Sequence, residues 1–288
     1  MRSWARMIKS GLKNRSALLM GVLLFGLLVV WSAGPARAES SETAPPGYHI
    51  GGKYLKNLVL DFKDVVVSPA HWKGKSWLLF GGAAAVTSFL YASDRSIGRW
   101  VMDHRSLTSG GFTSFMGRLA EAPAMAGLIT TLYVSGEIFD QPGLRRTALL
   151  SLEAYVTHAA ISSLIKFVAG RARYEMGEGP HSFHPFSRRY SSTSFPSGHS
   201  GSIFSVAAVI AGEADNWAIG TLAYGLAGIA AVSRLHNMDH WASDVFVGSV
   251  LGYFIGKMVR HLNSPRGGGS ARPSVGFGPA GFSISFQF

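Results

Sequence analysis

Cysteine is absent from the chain, and only 15% of its 288 residues are charged. The absence of cysteine excludes a disulfide framework, a thiolate metal site and a cysteine nucleophile. The hydrophobic fraction is 47% and the mean hydropathy is +0.20, which is more apolar than typical soluble domains. The length suits one sizeable domain or two small ones.

Acidic residues are missing from the first 38 positions, although six of the 27 basic residues lie there. These six are Arg2, Arg6, Lys9, Lys13, Arg15 and Arg37. The other 21 basic residues and all 16 acidic residues leave the rest of the chain with a net charge of +5, against +11 for the whole. Because the remainder has no clustered basic stripe, nucleic-acid binding is not expected.

The N-terminal segment is typical of a secretory signal peptide. A basic region at 1–15 precedes an apolar core at 17–31, and Ala36-Arg37-Ala38 has the small-x-small pattern of a cleavage site. An uncleaved membrane anchor is the alternative. We therefore expect residues 1–38 to be a signal peptide or anchor and the protein to be exported to the periplasm or cell envelope.

Residues 39–76 are predicted to be a linker followed by an amphipathic helix. The linker contains Pro and Gly, and the apolar residues between Lys53 and Val67 recur at helical spacing. Such a helix can lie on a membrane surface. Packing against the chain's own core is the favoured interpretation.

Six apolar runs follow and predict an all-α bundle of about six core helices, in a domain spanning 77–262. Several runs are shorter than the ~20 residues that cross a bilayer, and one contains Glu153 and His158. A membrane-embedded bundle and a buried soluble core therefore both fit the pattern. The runs are Trp77–Ser93, Ala122–Ile138, Thr147–Val168, Gly201–Gly212, Trp217–Val232 and Val245–Met258.

The C-terminal segment, residues 263–288, is predicted to be a Gly/Pro-rich tail with a short strand at its end. Phe282, Ile284, Phe286 and Phe288 alternate with small or polar residues. This period of two is typical of a strand. An edge strand or a loose terminus is expected.

Two basic residues end the third apolar run. Lys166 and Arg173 are seven positions apart, so on a continuous helix they would share one face. Arg171 is a third cation nearby, and Gly170 leaves the face open. A positive helix C-terminus, which suits the helix dipole, is the alternative interpretation.

The fourth apolar run opens with the turn Pro196-Ser197-Gly198-His199. A helix N-terminus presents unpaired backbone N–H groups and is a natural site for an anion. Ordinary turn and cap chemistry also uses these residue types.

A third group surrounds the start of the last apolar run. Arg234 precedes His240 and Asp244, which are four positions apart. A carboxylate one turn after a histidine can accept its Nδ1–H and leave Nε2 as a nucleophilic lone pair. Taken alone, such a pair is also a common surface contact or cap.

Together these groups resemble the three-part signature of the type 2 phosphatidic acid phosphatase (PAP2) superfamily. That superfamily also contains bacterial class A acid phosphatases and vanadium haloperoxidases. Its patterns are Lys-x6-Arg-Pro, Pro-Ser-Gly-His and Ser-Arg-x5-His-x3-Asp. The sequence departs from them at Tyr174, where the family has proline, and this affects the expected path of the loop. The resemblance covers about residues 147–258.

The resemblance implies a PAP2/haloperoxidase-like helical bundle and a metal-independent phosphatase that needs no cofactor. In the family mechanism, His240 attacks phosphorus to form a phosphohistidine and Asp244 orients its ring. His199 protonates the leaving oxygen and then activates water. The implied phosphate-binding groups are Lys166, Arg173, Ser197, Gly198 and Arg234.

The apolar surroundings favour a lipid phosphate or polyprenyl diphosphate as substrate, with a soluble phosphomonoester as the alternative. Membrane association is expected, and the sequence leaves the oligomeric state open. Two rival functions remain. A vanadate-dependent haloperoxidase would use the same anion pocket, and a non-catalytic phospholipid-binding envelope protein would need only the cations.

The other histidines have competing interpretations. His236 and His240 with Asp239 and Asp244 resemble a metal cluster, although the phosphatase interpretation already uses two of these four side chains. The loop at 175–193 holds His181 and His184 with Arg188 and Arg189. It either shapes the substrate entrance or is a solvated loop.

The topology contains a conflict. Counting membrane crossings from an exported N-terminus places the loops of Arg173 and His199 in the cytoplasm. Membrane proteins of the PAP2 superfamily usually act on the outer face of the membrane. An extracytoplasmic, membrane-associated catalytic domain is the favoured expectation.

Overall fold

The computed structural model describes residues 49–104, 110–214, 216–264, 272–278 and 281–287. The predicted signal peptide at 1–38 lies outside these ranges. The α-helices in the described ranges are α1 (Gly52–Val67), α2 (Gly74–His104), α3 (Gly110–Leu119), α4 (Ala122–Ile138), α5 (Pro142–Ala169), α6 (Gly198–Glu213), α7 (Trp217–His236) and α8 (Ala242–Leu262).

The prediction of an all-α bundle is confirmed. Each of the six apolar runs lies within one helix (α2 and α4 to α8), and the amphipathic segment forms α1. Helix α3 was not predicted. Its three glycines, Gly110, Gly111 and Gly117, lower the intrinsic helix propensity, and α3 packs mainly against α7. Tertiary packing therefore stabilises a helix that the local sequence does not favour.

Helix α6 lies at the centre of the bundle and packs against α5, α7 and α8. Its contact with α8 depends on glycine, because a Cβ on Gly252 would lie 2.0 Å from the Gly201 carbonyl oxygen. A Cβ on Gly248 would lie 2.3 Å from the Ser197 carbonyl oxygen. The first turn of α6 is therefore held in close backbone contact with the part of α8 around Gly248 and Gly252.

The bundle has two distinct ends. At one end, α5 and α7 finish and α6 and α8 begin, and this end carries the candidate site. At the other end, Glu213 pairs with Arg146 at 2.7 Å and with Arg260 at 3.0 Å. There Asn263 also donates a 2.8 Å hydrogen bond to Asp61 of α1. The opposite end is thus closed by ion pairs and hydrogen bonds.

A β-hairpin follows the bundle. Strand β1 (Arg272–Gly278) pairs antiparallel with β2 (Gly281–Gln287), so that Val275 lies opposite Ile284. The predicted terminal strand is therefore found as β2, while its partner β1 was not predicted. Phe288 lies outside the described residues.

Four of the described helices, α2, α5, α7 and α8, are long and apolar enough to cross a membrane, as judged by length and composition. Helix α2 is exceptional because none of its most apolar 18-residue window is buried by protein. Leu78 is 77% exposed and Phe89 is 71% exposed. Apolar surface of this extent marks an interaction site, and these helices support membrane association.

Candidate active site

The three sequence groups meet at one end of the bundle. The segment after α5 pairs with the segment before α6, since the Ser194 N–H donates to the Arg171 carbonyl at 3.0 Å. The segment before α6 in turn meets α8, where the Ser197 N–H donates to the Asp244 carbonyl at 2.9 Å. Residues widely separated in sequence thus surround a single centre.

His240 lies in the short connection between α7 and α8 and is 3% exposed. Its Nδ1 lies 2.8 Å from the Ser194 carbonyl oxygen. Because a carbonyl oxygen only accepts, Nδ1 carries the proton and Nε2 carries the lone pair. Nε2 is buried and has no hydrogen-bond partner in the described structure. This is the arrangement that a nitrogen nucleophile requires.

Asp244 does not make the predicted direct hydrogen bond to His240, because its nearest oxygen is 3.9 Å from Nδ1. Helix α8 begins only at Ala242, so His240 precedes the helix and the one-turn spacing does not apply. Asp244 instead accepts from the Trp241 N–H at 3.0 Å and from the Ser194 hydroxyl at 2.5 Å. It therefore contacts the residue whose carbonyl fixes His240.

Lys166 and Arg173 do not share a helix face, which corrects the sequence prediction. Helix α5 ends at Ala169, and Gly170 has a left-handed φ of 62°. Glycine is required there, since a Cβ would lie 1.8 Å from the His184 carbonyl oxygen. Arg173 consequently lies beyond the helix, in the turn that follows it.

The two side chains nevertheless converge. Lys166 Nζ donates to the Thr193 carbonyl at 2.7 Å and to the Pro196 carbonyl at 2.5 Å. Arg173 reaches the Thr193 hydroxyl at 3.4 Å. Both cations therefore contact the segment that leads into α6. This is the position expected of groups that bind a phosphate at this turn.

Arg234, at the end of α7, joins the same group. Its Nη1 donates to an Asp239 carboxylate oxygen at 3.2 Å, and Nη1 of Arg173 donates to the Asp239 carbonyl at 3.3 Å. Nη2 of Arg234 also donates to the Gly117 carbonyl of α3. Helix α3, which the sequence did not predict, therefore helps to place a predicted phosphate-binding residue.

The Pro196–His199 turn forms the N-terminus of α6. Ser197 is the N-cap, and its hydroxyl accepts from the Ser200 N–H at 3.4 Å. Gly198 borders Lys166, since a Cβ there would lie 3.5 Å from Lys166 Cε. The predicted anion site thus has both a helix N-terminus and an adjacent ammonium group. A direct Ser197–phosphate contact stays a prediction.

His199, in the first turn of α6, faces His240. The two ring centroids are 6.4 Å apart and the ring planes are inclined by 61°. Burial and the charges of Arg234, Arg173 and Lys166 lower the pKa of His199 to about 3. Burial, with Lys166 and Arg173, also lowers the pKa of His240 well below its ordinary value. Both rings are therefore neutral at neutral pH before an anion binds.

The loop between Tyr174 and Thr193 is tied back onto the end of α5. The His184 N–H donates to the Gly170 carbonyl at 2.7 Å, and the Arg173 N–H donates to the Ser191 carbonyl at 2.9 Å. Tyr190 stacks on Arg173, with the guanidinium carbon 4.1 Å from the ring centroid. Most residues between 175 and 190 are exposed, and a role of the loop in shaping the substrate entrance stays a prediction.

The loop histidines contact other residues. His184 Nε2 lies 2.7 Å from a Glu178 carboxylate oxygen, and the His181 ring centroid is 4.5 Å from that of Tyr91. His236 and Asp239 do not form a metal cluster with His240 and Asp244. In the described ranges, no group of three or more His, Asp or Glu side chains could hold a metal ion.

Tyr174, which occupies the position of the family proline, begins a single turn of 3-10 helix. Its ring centroid is 4.7 Å from that of Trp241. A Cβ on Gly98 of α2 would lie 2.9 Å from Tyr174 Cε2. Tyr174 therefore packs between α2 and Trp241, the residue that follows His240.

Two comparisons with known proteins each give one match. Residues 147–267 match the model of the PAP2 superfamily. The chain is also similar to the crystal structure of a transmembrane PAP2-type phosphatidylglycerolphosphate phosphatase from Bacillus subtilis. The identity is 20%, the match covers 72% of this chain and 94% of that chain, and the TM-score is 0.47. No curated protein matches the sequence.

Proposed function

Because residues 147–267 match the model of the PAP2 superfamily, we propose that the protein is a metal-independent phosphatase that acts through a phosphohistidine on His240. The family match supports a PAP2-type phosphatase. The observation that carries the finer proposal is the buried, unpartnered Nε2 of His240, whose Nδ1 is fixed by the Ser194 carbonyl. A merely phosphate-binding protein has no need of such a nitrogen.

In the first step, the Nε2 lone pair of His240 attacks phosphorus and the bond from phosphorus to the leaving oxygen breaks. The leaving oxygen takes a proton from His199. The resulting phosphohistidine keeps its Nδ1–H on the Ser194 carbonyl. In the second step, neutral His199 takes a proton from water, the oxygen attacks phosphorus, and the P–N bond breaks to release phosphate and regenerate His240.

The surrounding cations supply the electrostatic part of catalysis. Lys166, Arg173 and Arg234 are arranged around the turn at Thr193 and Asp239. They can bind the equatorial oxygens of the transferring phosphoryl group, with the N-terminus of α6 as a further donor. Hydrogen bonds hold these three side chains in place before the substrate arrives. Little movement of the cations is therefore needed as negative charge develops on the phosphoryl oxygens.

We assign a lipid phosphate or diphosphate as the substrate class. An apolar cavity of about 170 Å³ lies between α3, α4, α6 and α7. Phe115 and Met116 line it, immediately before Gly117, whose carbonyl accepts from Arg234. An apolar chain bound there would lie beside a phosphate held by Arg234. The exposed apolar surface of α2 is consistent with a substrate delivered from a bilayer.

Purified protein should release inorganic phosphate from p-nitrophenyl phosphate and, with higher kcat/KM, from a dispersed long-chain lipid phosphate. The activity should persist in EDTA and be inhibited by vanadate, which takes up the geometry of the transferring phosphoryl group. The controls are a short-chain phosphate and added Mg²⁺. Absence of phosphate release from every substrate would reject the proposal, and bromide oxidation with vanadate and peroxide would assign a haloperoxidase.

We further propose that the site faces the extracytoplasmic side. The absence of cysteine allows a direct test with two single-cysteine variants and an impermeant maleimide in intact spheroplasts. Arg188→Cys reports on the site end, and Lys63→Cys on α1 reports on the opposite end. Labelling of Arg188→Cys before lysis is expected. Labelling of Lys63→Cys alone would place the site in the cytoplasm, and labelling of both would mean that the domain does not cross the bilayer.

A further inference from the structure

A buried aspartate of α2 contacts the candidate active site, although it lies outside the PAP2-matching region. Asp94 is 1% exposed. It accepts from the guanidinium of Arg171 at 2.7 Å and from the Ser243 hydroxyl at 2.5 Å. Its second oxygen accepts from the Ser243 N–H at 3.0 Å. Both carboxylate oxygens of Asp94 therefore accept hydrogen bonds from buried donors.

Arg171 connects Asp94 to the catalytic side of the structure. It is fully buried, and its other terminal nitrogen donates to Asp244 at 2.5 Å and to Ser243 at 2.7 Å. Its remaining N–H groups donate to the Pro180 carbonyl. One guanidinium is thus shared between two buried carboxylates, so that loss of the Asp94 charge leaves Arg171 paired with Asp244 alone.

The contacts continue from Asp244 to the nucleophile. Asp244 accepts from the Ser194 hydroxyl at 2.5 Å, and the Ser194 carbonyl holds Nδ1 of His240 at 2.8 Å. A second route is shorter. Asp94 binds the N–H of Ser243, in the first turn of α8, directly after the His240–Trp241 connection. Asp94 therefore acts on both segments that determine the orientation of the His240 ring.

We propose that Asp94 is a positioning residue for the nucleophile His240, acting through Arg171 and Ser243. The expected loss of rate rests on the proposed phosphohistidine chemistry. The hydrogen bonds through which Asp94 positions His240 do not depend on that chemistry. Asp94 gives α2 a role in the active site in addition to its apolar surface. Asp94 lies 149 residues before Ser243, in the helix turn that it holds. One residue that influences the reaction is therefore distant in sequence from the segment that it positions.

The expected kinetic signature separates positioning from phosphate binding. Lys166, Arg173 and Arg234 keep their own contacts when Asp94 changes, so the substrate should bind nearly as before. The in-line approach of Nε2 should suffer, because a misplacement of about 1 Å can reduce a rate ~10²-fold. A loss in kcat with a nearly constant KM is therefore expected.

The test is Asp94→Asn in the full-length protein, which retains the shape of the side chain and removes its charge. Its matched control is Asp61→Asn, a change at another aspartate that is 1% exposed but lies at the opposite end of the bundle. With p-nitrophenyl phosphate, kcat of Asp94→Asn should fall about 10- to 100-fold and KM should change less than about twofold. Asp61→Asn should keep both values per folded molecule.

A spectroscopic readout makes the test independent of activity. In protein labelled with ¹⁵N-histidine, the Nδ1–H signal of His240, assigned by its loss in His240→Gln, should shift in Asp94→Asn and not in Asp61→Asn. If the wild type hydrolyses no phosphate ester, the proposed function fails and this signal alone decides the positioning claim. An unchanged signal with an unchanged kcat overturns the claim.

Ser243→Ala covers the case in which Asp94→Asn does not fold. It removes the hydroxyl that links Asp94 and Arg171 without changing a charge. A several-fold decrease in kcat at constant KM, together with a shifted His240 signal, is expected. Wild-type values for both would reject the inference.

Discussion

Replacing His240 with alanine should reduce phosphatase activity by about 10⁴-fold or more, the magnitude that follows from loss of a covalent nucleophile. The reason is chemical as well as geometric. Without Nε2 there is no atom to accept the phosphoryl group, and the cations alone can only polarise phosphorus. The measurement is kcat/KM for p-nitrophenyl phosphate under EDTA, normalised to folded protein.

Two further variants make this result interpretable. His240→Gln preserves much of the side-chain volume and should be as inactive as the alanine variant. His184→Ala removes a histidine of the same chain that pairs with exposed Glu178, and it should retain activity. Equal activity in His240→Gln and the wild type would rule out His240 as the nucleophile.

His199→Gln should show a loss that depends on the leaving group. General acid catalysis contributes about 10²- to 10⁴-fold, and only a poor leaving group needs all of it. For an alkyl or lipid phosphate, kcat/KM should fall by roughly that range. For p-nitrophenyl phosphate, whose phenolate leaves without help, the loss in kcat/KM should be much smaller.

The pH dependence gives a second readout for His199. Because burial and three cations lower its pKa to about 3, His199 in the free enzyme is unprotonated at neutral pH. The proton needed by the leaving group must therefore arrive with the substrate. For an alkyl phosphate, kcat/KM should fall about tenfold per pH unit above the substrate's second pKa of about 6. A bound dianion raises the pKa of His199 and lets it hold that proton.

The His199 prediction has clear contrary outcomes. Equal losses for good and poor leaving groups would mean that His199 binds phosphate instead of donating a proton. A kcat/KM for the alkyl phosphate that rises with pH between 6 and 8 would mean that the proton for the leaving group does not arrive with the substrate. His184→Ala serves again as the control.

The sequence was sufficient for most of the helices because their apolar runs are long. It did not predict α3, where glycines disfavour a helix and contacts with α7 supply the stability. The sequence correctly predicted that Lys166 and Arg173 lie close together, but it did so by placing them on one helix face, which is wrong. The chain leaves the helix at Gly170 and returns through Thr193, and spacing alone does not reveal such a path.

The site shows a similar division. Short motifs identified His199 and His240, since the relevant residue types are close in sequence. The acceptor for His240 is a backbone carbonyl, which no side-chain pattern can reveal. Asp94 lies 149 residues from Ser243, and only the packing of α2 against α8 brings them into contact. Residue spacing in the sequence therefore could not predict the long-range contacts that support the site.

The most direct test of the phosphohistidine mechanism is to trap the phosphoenzyme. Wild-type protein mixed with ³²P-labelled substrate and quenched in alkali within milliseconds should carry label that is stable in base and labile in acid, as a phosphohistidine is. The label should map to the peptide that contains His240 and be absent from His240→Gln. Rapid turnover without any labelled enzyme, or the same label in His240→Gln, would contradict the mechanism.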